Sequence, residues 1–64
     1  MKVIYKGKLF EVKGKKRVKE LLREFGESDL TCLVIDLKRK RLLTPDVLLR
    51  EDWEIELKKV TSGG

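Results

Sequence analysis

The sequence contains no histidine, asparagine, glutamine or alanine, and its one cysteine is Cys32. Because Ser–His and Cys–His catalytic pairs need an imidazole base, the absence of histidine excludes both. A lone cysteine cannot form an internal disulfide, and without histidine it leaves too few ligands for an all-protein zinc site. The first residues carry only a short apolar run, so we expect no signal peptide. A free thiol without an export signal fits a reducing cytosol, which predicts a cytoplasmic protein.

Long apolar runs are also missing, and none approaches the roughly 18 residues of a membrane span, so we expect no membrane partner. What the 64 residues do contain is charge, with 16 Lys+Arg against 11 Asp+Glu and a net charge of +5. The hydrophobic share of 41% is enough for the core of one small domain and argues against disorder. High charge without amide side chains is typical of thermophile proteins, a hypothesis that a mesophile-like melting temperature would contradict.

Hydrophobic spacing predicts a β-hairpin at the start of the chain. Residues 2–6 and 9–13 each alternate between apolar and polar positions, as in a half-buried strand. Gly7-Lys8 lies between the two runs and is the predicted turn.

The period then changes to that of a helix, predicted from Lys16 to Phe25. Its apolar residues follow the i, i+3, i+4, i+7 spacing of one helical stripe: Val18, Leu21, Leu22 and Phe25. Gly26 comes directly after the stripe, where a helix often ends on a residue in the left-handed conformation.

The second half of the chain predicts further strands. Residues 31–36 are a nearly continuous apolar run of strand length, which indicates a central strand covered on both faces. Leu42-Leu43 is a candidate short strand, and Thr44-Pro45 is typical of a single short helical turn. Residues 53–58 alternate regularly, as in a half-buried last strand.

This order of elements predicts an α+β fold of two layers, in which a mixed sheet of four to five strands has one main helix packed on one face. Residues 1–60 form the predicted domain, and residues 61–64 leave it as a flexible C-terminal tail ending in Gly-Gly.

Several segments also match motifs of one known family. Residues 1–5 look like its first strand, residues 18–22 read Val-Lys-Glu-Leu-Leu where the family often has Val-x-Glu-Leu-Leu, residues 52–57 look like its last strand, and residues 63–64 are its terminal Gly-Gly. Over nearly its whole length the chain therefore resembles the ubiquitin-like β-grasp sulfur carriers of thiamine and molybdopterin synthesis, with relatives in tRNA thiolation and protein conjugation. Two turns depart from the family pattern, at 36–41 and 50–52.

The resemblance implies a carrier that is not itself an enzyme. The carboxylate of Gly64 is adenylated by a partner, an adenylyltransferase of the ubiquitin-activating type that uses ATP and a sulfur donor. The resulting thiocarboxylate passes its sulfur to a downstream sulfur-accepting synthase, and the carrier itself binds no cofactor or metal. Thr61, Ser62 and Gly63 complete the tail, in which glycine allows the backbone to enter a narrow channel. A terminal carboxylate is ionised at pH 7, because its reference pKa is about 3.5.

Other positions are predicted from charge and burial. Val60 and the basic turn are candidate partner-binding residues, the turn consisting of Lys38, Arg39, Lys40 and Arg41. Complementary charge speeds encounter with an acidic partner surface, although such a run is also typical of a solvated face. Cys32 lies in the most apolar run and is predicted to be a core residue.

Two alternatives remain open at this point. The chain could be a ubiquitin-like modifier joined to lysines through the same Gly-Gly tail, or a small basic nucleic-acid-binding domain. Nucleic acid is the less favoured partner, because the aromatic residues needed for base stacking are few and are assigned to the core: Tyr5, Phe10, Phe25 and Trp53.

Overall fold

The computed structural model describes residues 1–60 and contains one helix and seven strands in that range. The elements are β1 (Lys2–Tyr5), β2 (Lys8–Glu11), β3 (Lys16–Arg17), α1 (Val18–Glu24), β4 (Cys32–Asp36), β5 (Arg41–Leu43), β6 (Leu48–Leu49) and β7 (Glu54–Lys59). Five strands form a sheet in the order β2-β1-β7-β4-β5, and β3 pairs with β6 in a separate ribbon. The prediction of a small α+β fold with a mixed sheet and one helix is confirmed.

The last strand lies at the centre of the sheet. Strand β7 runs parallel to β1 on one side and antiparallel to β4 on the other. Each of these neighbours forms an antiparallel hairpin with an edge strand, β1 with β2 and β4 with β5. Ile55 and Leu57 of β7 are buried, as their alternation predicts, while the strand begins one residue later than predicted, at Glu54.

The first hairpin turns one residue earlier than predicted. Tyr5 pairs with Lys8, so the two-residue loop is Lys6-Gly7 and Lys8 already belongs to β2. Both loop residues have positive φ angles, 51° at Lys6 and 76° at Gly7. This is the type I′ arrangement, whose twist matches that of the flanking strands.

Helix α1 begins two residues later than predicted. Lys16 and Arg17 are extended and pair with β6, because long-range pairing overrides their helical propensity. The carboxylate of Glu20 accepts a hydrogen bond from the backbone N–H of Arg17 at 2.8 Å and so caps the first turn. At Thr44-Pro45 the chain forms the predicted single turn, in which the N–H of Val47 donates to the carbonyl of Thr44 at 3.2 Å, but the turn does not extend into a helix. The carbonyl of Pro45 accepts the N–H of Lys19 at 3.1 Å.

The core lies between α1 and the face of the sheet that α1 covers, the inner face. Its buried apolar residues are Met1, Val3, Val18, Leu21, Leu22, Cys32, Val34, Leu43, Leu49, Ile55 and Leu57. Cys32 is confirmed as a core residue. Phe10, predicted to face the core, lies on the edge strand β2 and stays 38% exposed while its ring packs edge-on against Phe25 at 5.3 Å.

The prediction that β4 is covered on both faces is wrong. Cys32, Val34 and Asp36 point inward and are buried, whereas Leu33 is 38% exposed and Ile35 is half-buried. Among residues 1–60 a single helix covers the sheet, so the second face of an apolar strand remains in contact with solvent. Apolar content alone cannot distinguish a strand buried twice from one buried once.

Candidate functional site

The point at which the chain leaves the sheet is fixed by the backbone. Strand β7 ends at Lys59, and the N–H of Val60 donates to the carbonyl of Thr31 at 2.9 Å, beside the start of β4. The predicted tail and its reactive residue lie outside the described residues: Thr61, Ser62, Gly63 and Gly64.

A carboxylate is buried directly beside this exit point. The Tyr5 hydroxyl donates to Oε2 of Glu27, and the Thr31 hydroxyl donates to Oε1 at 3.0 Å. The ammonium of Lys59 lies 3.4 Å from Oε2, and the Glu27 side chain is only 5% exposed. We call these four residues the Glu27 cluster. It was not predicted, because none of the four stands near another in a recognisable motif.

The end of helix α1 places Glu27 in this position. Gly26 adopts a φ of 71°, and its N–H donates to the carbonyl of Arg23 at 3.0 Å. The N–H of Glu27 then donates to the carbonyl of Leu22 at 2.8 Å. This pair of bonds is a Schellman motif, which ends a helix and turns the next side chain back toward it.

Protonation within the Glu27 cluster follows from these contacts. The hydrogen bond from Tyr5 lowers the pKa of Glu27, and this bond together with those from Thr31 and Lys59 outweighs the opposite effect of burial. The same bond raises the pKa of Tyr5 to about 12. At neutral pH the carboxylate is therefore ionised and the phenol is protonated, which is the state that the hydrogen bonds require.

The thiol of Cys32 is close to the cluster but is chemically quiet. Cys32 pairs across the sheet with Lys59 and is 2% exposed. Burial, followed by the nearby carboxylate of Glu27, raises the pKa of the thiol. A protonated, buried thiol is a poor nucleophile, so Cys32 serves the core.

The face of the sheet turned away from α1 is open, and its centre is mostly apolar between charged positions at Lys2, Glu54 and Lys58. One row of side chains crosses it from edge to edge: Leu9, Ile4, Glu56, Ile35 and Leu42. With Leu33 these residues make up what we call the outer face. Leu9 is 64% exposed and Leu42 is 62% exposed, and at a strand spacing of about 4.8 Å the row spans about 19 Å. Exposed apolar patches of this kind mark interaction sites.

The buried carboxylate of Asp36 fixes the basic turn through hydrogen bonds to its backbone and to Arg39. Asp36 is fully buried, and its Oδ1 accepts the N–H groups of Lys38 at 3.1 Å and Arg39 at 3.2 Å. Its Oδ2 accepts the guanidinium of Arg39 at 3.0 Å, and that group also lies over the Trp53 ring at 4.9 Å. Arg39 is thus paired with the domain although its side chain is 51% exposed, and Lys38, Lys40 and Arg41 are exposed as well.

The structure does not bring the basic turn and Val60 together. The turn follows the end of β4, where that strand pairs with the start of β7, whereas Val60 follows the end of β7. The six residues of β7 separate the two by about 20 Å at about 3.3 Å per residue. A partner that contacts both has to extend along the whole sheet.

Asp36 predicts a specific dependence of stability on pH. Burial raises its pKa, but the hydrogen bonds and charge of Arg39, with the N–H of Lys38, outweigh this and hold the pKa below the ordinary value. A carboxyl group with a depressed folded pKa stabilises the fold above its unfolded pKa of about 3.9 and loses that effect as the pH falls through the folded value. We expect the free energy of unfolding to fall below about pH 4, and to fall less steeply in Asp36→Asn.

Chemical denaturation at a series of pH values measures this difference. The control is Asp52→Asn, which changes an exposed aspartate and should keep the wild-type slope. An unchanged slope in Asp36→Asn would show that Asp36 does not contribute to acid destabilisation.

The aromatic rings contact partners within the fold. The rings of Tyr5 and Phe25 meet edge-on at 5.1 Å, Phe10 joins them, and Trp53 is covered by Arg39. These contacts do not form an open stacking platform of the kind that single-stranded nucleic acids use.

In residues 1–60 no helix has the length and apolar character needed to cross a membrane. Over the same range, no three histidine, cysteine, aspartate or glutamate side chains are grouped so as to hold a metal ion. Comparisons of the chain with protein-family models, curated proteins and solved structures found no match.

Proposed function

We propose that the chain is a β-grasp sulfur carrier whose Gly64 carboxylate is activated by a partner enzyme. The observation that carries this proposal is the arrangement of the first and last strands, which lie parallel at the centre of the sheet with a hairpin on each side and one helix across the inner face. This strand order resembles that of the β-grasp fold. The central strand ends at Lys59, and Val60 connects it to the four residues that end in Gly63-Gly64.

The length of the tail suits delivery of a carboxylate into an enclosed site. From Val60, four further residues reach at most about 14 Å at about 3.5 Å each. Gly63 and Gly64 have no side chains, so the last part of this segment can pass through a channel that only backbone fits. The partner contacts the surface of the domain, while the reacting carboxylate lies inside the partner's channel.

The reaction consists of two displacements at the terminal carboxyl group. A carboxylate oxygen attacks the α-phosphorus of ATP, which forms an acyl-adenylate and releases pyrophosphate. A sulfide nucleophile from the sulfur donor then attacks the carbonyl carbon and displaces AMP, which leaves a thiocarboxylate on Gly64. The carrier supplies the reacting group, and the adenylyltransferase supplies the catalysis.

The outer face is the surface on which this enzyme docks. Leu33 pairs with Lys58, close to the exit of the tail, so a partner that takes up the tail also meets the adjoining apolar side chains. Glu56 lies between Ile4 and Ile35 in the same row and forms no ion pair among the described residues. The complementary surface is therefore apolar and carries a cationic side chain opposite Glu56.

Intact-mass analysis of the protein purified from its native host tests the proposal. We expect a chain that ends at Gly64 with one carboxyl oxygen replaced by sulfur. Isopeptide-linked adducts would instead identify a modifier that acts through the same carboxylate. A chain that continues beyond Gly64 would contradict both functions.

A further inference from the structure

We propose that the Glu27 cluster positions the reacting tail, with Glu27 as the residue that fixes the end of β7 relative to the rest of the domain. This inference rests on the proposed function. It adds a role for four side chains that neither the adenylation chemistry nor the outer face requires.

The cluster joins four separate parts of the fold at one carboxylate. Tyr5 ends β1, Glu27 follows α1, Thr31 precedes β4, and Lys59 ends β7. Thr31 also accepts the N–H of Val60 through its carbonyl at 2.9 Å. The base of the tail is thereby connected, through one residue, to the carboxylate that holds the other elements.

The geometry of these bonds favours a positioning role over a purely stabilising one. Tyr5 and Lys59 both approach Oε2, and Thr31 approaches Oε1, so both oxygens of the carboxylate are engaged from different directions. Burial removes a carboxylate from water at a cost in free energy that an apolar side chain of similar size does not have. Stability alone is therefore a poor reason to place a carboxylate here. Its directional bonds do, however, set the relative placement of the elements that carry them.

Placement at this point matters because the reacting carbon lies at the end of a short chain. The end of a terminal strand is poorly ordered unless contacts with the rest of the domain hold it. Once the partner's channel holds the four residues after Val60 extended, they have no slack, so a displacement at their base shifts the carboxylate. Misplacement by about 1 Å can cost about 100-fold in rate. The cluster should therefore affect the rate of the chemical step more than the strength of docking.

Two substitutions remove cluster bonds without emptying the core. Tyr5→Phe removes the hydroxyl and keeps the ring that packs on Phe25, and Lys59→Met removes the ammonium and keeps most of the side-chain length. Lys59→Arg, which restores a cation, is the rescue variant. Lys19→Met, an exposed lysine on α1, is the matched control.

Two readouts test the proposal at a temperature at which every variant is folded. The first is hydrogen exchange of the Val60 amide, which we expect to be about tenfold faster in the Tyr5→Phe/Lys59→Met double variant. The second is ATP–pyrophosphate exchange with the adenylyltransferase of the same host. There we expect kcat to fall by about 10- to 100-fold in the double variant, with little change in KM. Lys59→Arg alone and Lys19→Met should behave like the wild type in both readouts.

The outcomes separate this proposal from the one on which it rests. A wild-type kcat in the folded double variant, or a rise in KM with kcat unchanged, would overturn the positioning role. If the wild-type chain itself is not adenylated, the proposed function fails. In that case, hydrogen exchange of the Val60 amide still tests whether the cluster holds the base of the tail. Unchanged protection of this amide in the double variant would overturn the positioning role.

Discussion

Deletion of Gly64 is expected to abolish adenylation and to leave the melting temperature unchanged. The deletion leaves a carboxylate on Gly63 but shortens the reach of the tail by about 3.5 Å. Reacting atoms have to approach to about 3–3.5 Å, so a shift of one residue removes the carboxylate from the reacting position. The core described above lies within residues 1–60, so thermal unfolding should not change. ATP–pyrophosphate exchange with the activating enzyme, measured beside thermal unfolding, checks both parts.

Gly63→Val is the companion variant, because it keeps the length of the tail and changes its width. A β-branched side chain next to the terminal residue restricts the backbone and obstructs a narrow channel, so this variant should also lose adenylation. Wild-type exchange rates in the Gly64 deletion would contradict the carrier and the modifier functions together. Activity in Gly63→Val alone would show only that the channel of the partner is wide.

Replacement of Leu21 by alanine is expected to remove a large part of the stability of the domain. Leu21 is 0% exposed at the centre of the α1 stripe, and a buried Leu→Ala change costs about 2–5 kcal/mol. Since a small domain is stable by only about 5–15 kcal/mol in total, the variant should be partly unfolded or unfold at a much lower denaturant concentration.

Leu30→Ala makes the same chemical change at a residue that is 86% exposed. It should alter the free energy of unfolding by less than about 0.5 kcal/mol. Urea unfolding of both variants provides the comparison. Equal effects at the two positions would show that α1 is not packed on the inner face of the sheet as described.

The elements that could be predicted from the sequence are those with a strict local period. The stripe that ends at Phe25, the alternation of β7 and the helix stop at Gly26 all depend on neighbours within a few residues. The ribbon of β3 and β6 could not be predicted, because each strand has two residues and exists only through pairing with the other. The open second face of β4 likewise depends on how many layers cover the sheet.

The candidate site divides in the same way. The Gly-Gly tail and the basic turn are each a continuous stretch of sequence, so both can be found by inspection. Their roles in adenylation and docking stay predictions. The Glu27 cluster draws its side chains from four elements, so only the tertiary structure brings them together. The ion pair between Arg39 and Asp36 was also not predicted. The sequence pattern places Asp36 in a strand but does not show which side chains the following turn brings to its carboxylate.

The parallel pairing of β1 with β7 also has a consequence for the kinetics of folding. It joins residues about 50 positions apart, and closing a loop of that size costs about 3.5 kcal/mol of chain entropy beyond a constant. The two hairpins are local and can form early, but they become one sheet only when β7 inserts between β1 and β4. Topologies dominated by such distant contacts fold in milliseconds to seconds. A partly folded chain therefore has neither the Val60–Thr31 bond nor the Glu27 cluster, and an enzyme that requires both would receive the C-terminal residues only from a fully folded domain.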